Sequence, residues 1–562
     1  MKVWAPDARS VEVVVGDERI GMERQERGYW AASIVDGDYM LSVDGGAPRP
    51  DPRSRFQPHG IHGPSRWVDH DSFVWTDATW SSPEPADLVI YELHVGTFTE
   101  AGTFSAVEEK LDHLAELGVN ALELMPVAEF SGQRGWGYDG VDLYAPHHAY
   151  GEPDDLKALI DTCHLRGFAV ILDVVYNHLG PSGNYLREFG PYFTHRYATP
   201  WGEGVNFDGR GSDEVREFFI GNALMWLGDY HFDGLRLDAV HAIVDTSAIN
   251  LLEELSARVA ELSAHLDRKL FLIAESDLND PRVVTPRHFG GYGIDAQWND
   301  DFHHALHAYL TGERGGYYAD FGEVSHIAAA LSQGFVYDGK YSNFRGRRHG
   351  RPIGGLGGSR FLCYAQTHDQ VGNRAAGERL SALVSIEDLK IAAALVLMAP
   401  FVPMLFQGEE WATSTPFQYF TDHADPQLGQ AVTEGRKHEF ESFGWAPEEV
   451  PDPQDEKTFL RSKLDWTEVS GSEEILAWYR NLIALRRGEP ALRDGDLGAI
   501  TVEYGDDWLT VHRHGLAIIV NFASEERRFA GLFGDVVLTS SRSFERRGPV
   551  TLSPHSVAIV RT

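Results

Sequence analysis

The stretch DGLRLDAVH (233–241) sets an arginine and an aspartate two residues apart between leucines. A period of two puts Arg236 and Asp238 on one face of a strand, with Leu235 and Leu237 on the other. A guanidinium beside a carboxylate favours the ionised acid, and an ionised Asp held at a strand end can serve as a nucleophile. Alone, an Arg-x-Asp strand reads as a structural ion pair. Other chemistry-bearing residues change that reading. Asp173, Asn177 and His178 close the run AVILDVVYNH, Glu275 ends KLFLIAES, and His368 and Asp369 end FLCYAQTHD. Singly, His178 is the pattern of a satisfied core histidine and Glu275 that of a strand-end cap. Together, Asp238, Glu275 and Asp369 would be three carboxylates in one crevice, where like charges and burial raise some of their pKa values. One neutral acid near one ionised carboxylate is the equipment of glycoside hydrolysis.

Such a crevice needs elements that bring distant residues together. Apolar runs in the strand pattern begin near Leu88, Asn120, Ala169, Asp233, Lys269, Ile294, Phe361 and Phe401. Helical periodicity covers 105–117, with Leu111, Leu114 and Leu117 on one stripe, and then 153–165, 215–230 and 249–266. Eight repeated strand–helix units predict an α/β protein built on a (β/α)8 barrel, whose C-terminal face gathers the strand ends around one mouth. Long inserts at about 179–211 and 312–359 follow the third and sixth strands. The Gly-rich GGLGGSR (354–360) lies in the second and lacks the strand-to-helix context of a phosphate cradle. Glu409 and Glu410, after the eighth strand, are expected on the active face, either binding sugar or capping the next turn. The helical pattern at 473–487 closes the barrel.

Short alternating runs (VEVVV, GYWAASI, DYMLSV) predict a small antiparallel β domain before the barrel, expected as a β-sandwich and opening inside a strand-like run. AITVEY, WLTVHR, LAIIVNF and SVAIVRT predict an antiparallel β domain after it. The expected division is 1–82, 83–488 and 489–562, with the Pro-rich SSPEPAD (81–87) as the first linker.

With 84 Asp and Glu against 49 Lys and Arg, the formal net charge is −35. Such a surface disfavours nucleic acid and anionic membranes as partners. Cys163 and Cys363 form neither a disulfide framework nor a metal-spacing motif and read as buried packing residues. No apolar leader opens MKVWAPDARS, and the longest apolar run is broken by Pro400 and Pro403. A cytoplasmic location and no membrane span are therefore expected.

DVVYNH (173–178), GLRLDAVH (234–241), LIAES (272–276) and THDQVGN (367–373) resemble the sequence regions of the α-amylase superfamily. The resemblance implies that Asp238 is a nucleophile, Glu275 a general acid/base and Asp369 a transition-state stabiliser. It also implies that Arg236, His178 and His368 orient the sugar, and that Tyr138 in RGWGYDGVDLY stacks on it, the other reading being a core aromatic. Longer stretches, among them YELHVGTFTEAGTF, SNFRGRRHG, HDQVGNRAAGERL and PFQYFTDHADPQLGQAV, are similar to the maltooligosyltrehalose trehalohydrolase family. That likeness spans Leu88 to about Phe443. It implies retaining hydrolysis of the α-1,4 bond next to a terminal trehalose, coupled to a synthase that makes maltooligosyltrehalose. His241, Trp201 and the insert 343–349 are candidates for trehalose recognition by position, Trp201 equally a packing anchor. Asp173 and Asn177 match positions that help bind calcium in some amylase relatives, but no further ligand set accompanies them, so no metal or cofactor is expected. The rival readings are a glucan branching enzyme and, in a different class, a non-catalytic glucan-binding relative.

Overall fold

The computed structural model describes residues 1–33, 37–199, 202–441, 450–542 and 549–562. Its centre is a closed barrel of eight parallel strands. These are β1 (Ile90–Leu93), β2 (Ala121–Leu124), β3 (Ala169–Val174), β4 (Gly234–Leu237), β5 (Phe271–Ala274), β6 (Ala296–Trp298), β7 (Phe361–Cys363) and β8 (Val402–Phe406). Each pairs with the next in sequence, and β8 closes on β1 through Met404 opposite Ile90. All strand residues are buried, which is why these runs read as continuously apolar.

Alternation sorts the side chains into two cores. Ile90, Ala121, Ile171, Ile273 and Met404 fill the barrel interior. Tyr91, Leu122, Leu172, Leu235 and Leu237 face outward into the layer shared with the helices. Leu235 and Leu237 thus anchor β4 to its surroundings and oblige Arg236 to point into the barrel. Register then sets Arg236 beside Asp173 on β3 and Ile273 on β5.

The periodic stretch 105–117 is two helices, Phe104–Glu108 and Leu111–Leu117, not one. The chain kinks at Glu109–Lys110, yet Leu111, Leu114 and Leu117 keep their common buried stripe. Helices Pro153–Leu165, Ser212–Gly228 and Leu251–Leu266 follow their expected segments closely, and Glu473–Gly488 packs against the outside of the barrel. Cys163 and Cys363 are both buried and free. Before the barrel lie a three-stranded and a four-stranded antiparallel sheet, and after it a five-stranded sheet with a separate two-stranded one. The inserts contribute hairpins, Phe193–Thr199 with Gly202–Val205 and Asp338–Ser342 with Arg347–Gly350. No described helix is long and apolar enough to cross a membrane.

Truncating an outward leucine removes packing between strand and helix layer without touching the interior. Leu235→Ala should cost about 2–5 kcal/mol of barrel stability, visible as a lowered denaturation midpoint by circular dichroism.

Candidate active site

The C-terminal ends of the strands open on a cleft of about 520 Å3. Arg236 organises it. Its Nη1 donates to Asp173 Oδ1 and Oδ2 at 3.0 and 2.9 Å and to Asp238 Oδ1 at 2.7 Å. Its Nη2 lies 3.8 Å from Glu275 Oε2, and the guanidinium sits 4.3 Å over the Trp298 ring. Asn177 Nδ2 donates to Asp238 Oδ2 at 2.7 Å, so both carboxylate oxygens of Asp238 are held by separate donors.

Immediately after Asp238 the backbone is strained. Ala239 sits in the left-handed region at φ 40°, uncommon for a residue with a Cβ. That turn aims its N–H at Glu275 Oε2, 2.6 Å away. The tips of β4 and β5 are thereby tied together, with Asp238 and Glu275 facing the same cleft.

A second chain of bonds crosses the mouth. Tyr138 donates to Asp173 Oδ2 at 2.7 Å and meets His368 Nε2 at 2.7 Å. His368 Nδ1 contacts Glu92 Oε1 at 2.5 Å, and its backbone N–H donates to Glu92 Oε2. Burial disfavours the charged His368 ring, but Glu92 outweighs it and holds the pKa above the ordinary imidazole value. His178 is pushed below that value by burial and lies 2.9 Å from the Tyr138 carbonyl. Asp369 is exposed to the cleft and accepts from Asn373 Nδ2 at 2.6 Å. The short helix His368–Gly372 that carries Asp369 packs tightly on Trp136, where a Cβ on Gly372 would come within 2.1 Å of the ring.

The carboxyl groups differ sharply. Burial pushes the Glu275 pKa well above the ordinary glutamate value; Arg236 opposes this, while Asp238, Asp300 and Asp369 reinforce it. Asp300, held by Tyr364 at 2.6 Å, is pushed up to about 7 by burial, and Asp173 up to about 6 by burial against the pull of Arg236. The raised pKa favours the protonated form of Glu275, which is the form that can donate a proton.

Tyr138, His178, Arg236, Asp238, Glu275, His368 and Asp369 all line this cleft. His241 does not. It stands at the rim with Asp277, whose backbone N–H reaches His241 Nδ1 at 3.3 Å. Asp277 also binds Arg345 in a two-point ion pair, and its carbonyl lies 2.8 Å from His349 Nε2. The hairpin within 343–349 is thus brought to the same rim. Trp201 lies outside the described residues.

Glu409 and Glu410 do not face the active side. Both are buried between barrel and helices, Glu409 accepting from Tyr479 at 3.0 Å and Glu410 contacting Tyr91 and His113 at 3.2 and 2.9 Å. The turn after β8 rotates them outward, and apolar packing there requires their hydrogen bonds to be internal. Asp173 and Asn177 are likewise engaged by Arg236, Tyr138 and Asp238. Residues not singled out from the sequence include Asp300, Trp136, Tyr419 and Arg436. Asp300 carried a signal, as the acid closing the sixth strand run IDAQWND; Trp136 and Tyr419 come from loops and Arg436 from the helix Pro426–Glu441, none with a strand-end marker.

The catalytic-domain profile of the α-amylase family matches residues 68–199. A crystal structure titled as a putative α-amylase from Salmonella typhimurium superposes with a TM-score of 0.92 at 38% identity, covering 100% of this chain and 97% of that one. A malto-oligosyltrehalose trehalohydrolase from Arthrobacter ramosus is 53% identical over 87% of each chain. Another, from Rhizobium sp. (strain M-11), is 47% identical over 100% of this chain and 97% of its own length. The chain belongs to the malto-oligosyltrehalose trehalohydrolase family.

In this trehalohydrolase-family barrel the floor beneath the cleft is also acidic. Glu92 on β1 stands beside Glu123 on β2, and the Glu123 carboxyl makes no hydrogen bond to protein. Burial first, and Glu92 second, push its pKa well above 4.5. The folded chain therefore keeps a proton that the unfolded chain releases near 4.5, so stability falls as pH rises from there towards the folded pKa. Glu123→Gln, neutral at every pH, should remove that decline. Its stability relative to the parent should grow by up to about 1.4 kcal/mol per pH unit in melts between pH 5 and 8.

Proposed function

We propose that this protein is a retaining glycoside hydrolase that cleaves the α-1,4 bond beside the terminal trehalose of maltooligosyltrehalose. It thereby releases trehalose and a shortened maltooligosaccharide. The observation that carries this reading is the pairing, in one cleft, of Glu275, whose pKa is raised, with an Asp238 whose oxygens are fixed by Arg236 and Asn177. Glu275 protonates the glycosidic oxygen while Asp238 attacks the anomeric carbon from the opposite face. Water then hydrolyses the glycosyl ester, with Glu275 as base, and the configuration is retained. This mechanism calls for carboxyls about 5–5.5 Å apart. Asp369 binds sugar hydroxyls and tightens as the ring flattens, Tyr138 offers its aromatic face, and His178 and His368 hydrogen-bond the sugar.

Trehalose as leaving group demands donors and acceptors that only this disaccharide satisfies. The cluster of His241, Asp277, Arg345 and His349 at the rim supplies both kinds. The substrate implies an upstream synthase that converts the reducing end of a maltooligosaccharide into a trehalose linkage, and the pair would act in the cytoplasm.

A branching enzyme shares the barrel and the triad but transfers the glucan to a sugar hydroxyl. Relatives matching across the whole chain carry the trehalohydrolase name, which favours water as acceptor. A non-catalytic role is disfavoured by the presence of all three carboxylates.

Product analysis decides between these readings. Free trehalose from maltooligosyltrehalose, with little turnover of plain maltooligosaccharide, is expected; new α-1,6 branches in amylose would overturn the assignment. Asp238→Asn, Glu275→Gln and Asp369→Asn should each lower kcat by at least about 10²-fold while remaining folded. Near-native turnover in any of them would remove that residue's role. Arg345→Met should lower the ratio of trehalose release to maltooligosaccharide hydrolysis, read as the two kcat/KM values; an unchanged ratio would exclude the rim cluster from trehalose recognition.

A further inference from the structure

The loop that carries Trp136, Tyr138 and Asp139 into the cleft leaves the barrel after β2 and returns on a short antiparallel ladder. Glu129 stands at its departure and Asp142 opposite it on the return. His147 and His148 follow immediately. Glu129 and His147 are fully buried and Asp142 nearly so.

Three observations single out this group. First, one ligand atom from each of Glu129, His147 and His148 can be chosen so that all lie within 4.8 Å of one another. Second, His147 Nδ1 lies 3.2 Å from Glu129 Oε2, yet neither ring nitrogen of His147 makes a hydrogen bond. Third, Asp142 Oδ2 is buried without a hydrogen-bond partner next to the Glu129 carboxylate. Buried polar atoms are almost always satisfied, so the two unpaired ring nitrogens of His147 and the unpaired Asp142 Oδ2 call for a partner, beside a Glu129 carboxylate that accepts from His148 through both its oxygens.

We propose that Glu129, His147 and His148 bind a divalent transition-metal cation of the Zn2+ class. Two imidazoles and a carboxylate are a donor set for zinc, whose bonds of 2.0–2.2 Å put tetrahedral ligand atoms roughly 3.4 Å apart. His147 Nδ1 lies 3.2 Å from Glu129 Oε2, close to that spacing, whereas the 2.8 Å hydrogen bond between His148 Nδ1 and Glu129 Oε1 would open when a metal enters. Gln133 Nε2 meets His148 Nε2 at 2.8 Å. A turn of that amide presents its oxygen to Nε2–H, which leaves Nδ1 free to ligate, the outer-shell arrangement common around metal-bound histidine. Phe130 stacks on the His147 ring at 3.8 Å and fixes its plane. The ion would staple the two ends of the loop that presents Tyr138, well apart from the reacting atoms. Its role is structural.

The test uses the full-length protein stripped with chelator, incubated with Zn2+ alone, desalted and analysed for bound metal, with melting curves recorded in parallel. About one equivalent retained, with a raised melting temperature, both lost in His147→Gln, is the expected result. His148→Gln, at a half-buried position, serves as the second variant should the first misfold. No retained zinc, or equal retention in parent and variants through other histidines of the chain, would overturn the proposal.

Discussion

A single buried guanidinium holds the acidic mouth of this barrel together. Taking Arg236 out of water costs several kcal/mol, and only good geometry with its partners offsets that cost. The geometry is available because a guanidinium is planar and forked. One nitrogen serves Asp173 and Asp238 while the plane lies over Trp298, which a lysine ammonium could not reproduce. The barrel makes this possible in turn. Parallel register fixes Asp173 beside Arg236, and the outward leucines on either side forbid the one-residue slip that would turn Arg236 into the helix layer.

Around that charge the mouth is cross-braced. The chain Glu92–His368–Tyr138–Asp173 runs from β1 through the end of β7 and the loop after β2 to β3. Ala239, in its strained turn, joins the ends of β4 and β5. Side chains from five strands and one loop are thus held by hydrogen bonds between elements that are far apart in sequence. A sugar entering the cleft meets donors and acceptors already oriented, so little binding energy is lost in ordering them.

Much of this was legible in the sequence because strand ends announce themselves. An apolar run that stops on Asp, Glu or His marks a place where a side chain leaves the core for the barrel mouth, and Asp238, Glu275 and His368 were found that way. The same rule failed at Glu409 and Glu410, since the direction of the first residues beyond a strand depends on the turn, which periodicity does not encode. Helical periodicity in turn missed the kink at Glu109–Lys110, where the buried leucine stripe survives a break in the helix. The interior acids Glu92 and Glu123 were hidden inside runs that read as apolar. The Glu129–His147–His148 cluster was invisible for another reason: its members lie eighteen residues apart and meet only through an antiparallel ladder.

The acidity of the mouth also bears on how one residue can act first as acid and then as base. The protonated form of Glu275 is favoured because the carboxyl is largely withdrawn from water and because Asp238, Asp300 and Asp369 repel its charged form. On the mechanism proposed above, attack converts Asp238 into a neutral ester. That removes one of the nearby negative charges holding the proton on Glu275, while Arg236 remains and gains influence. The pKa of Glu275 must therefore fall at the stage where the proton has just gone to the leaving group and a base is required. Hydrolysis restores the Asp238 carboxylate and, with it, the repulsion that reprotonates Glu275. The burial that makes Arg236 costly is what lets one charge at Asp238 govern the next carboxyl so strongly, because in a mouth full of water the coupling would be screened away.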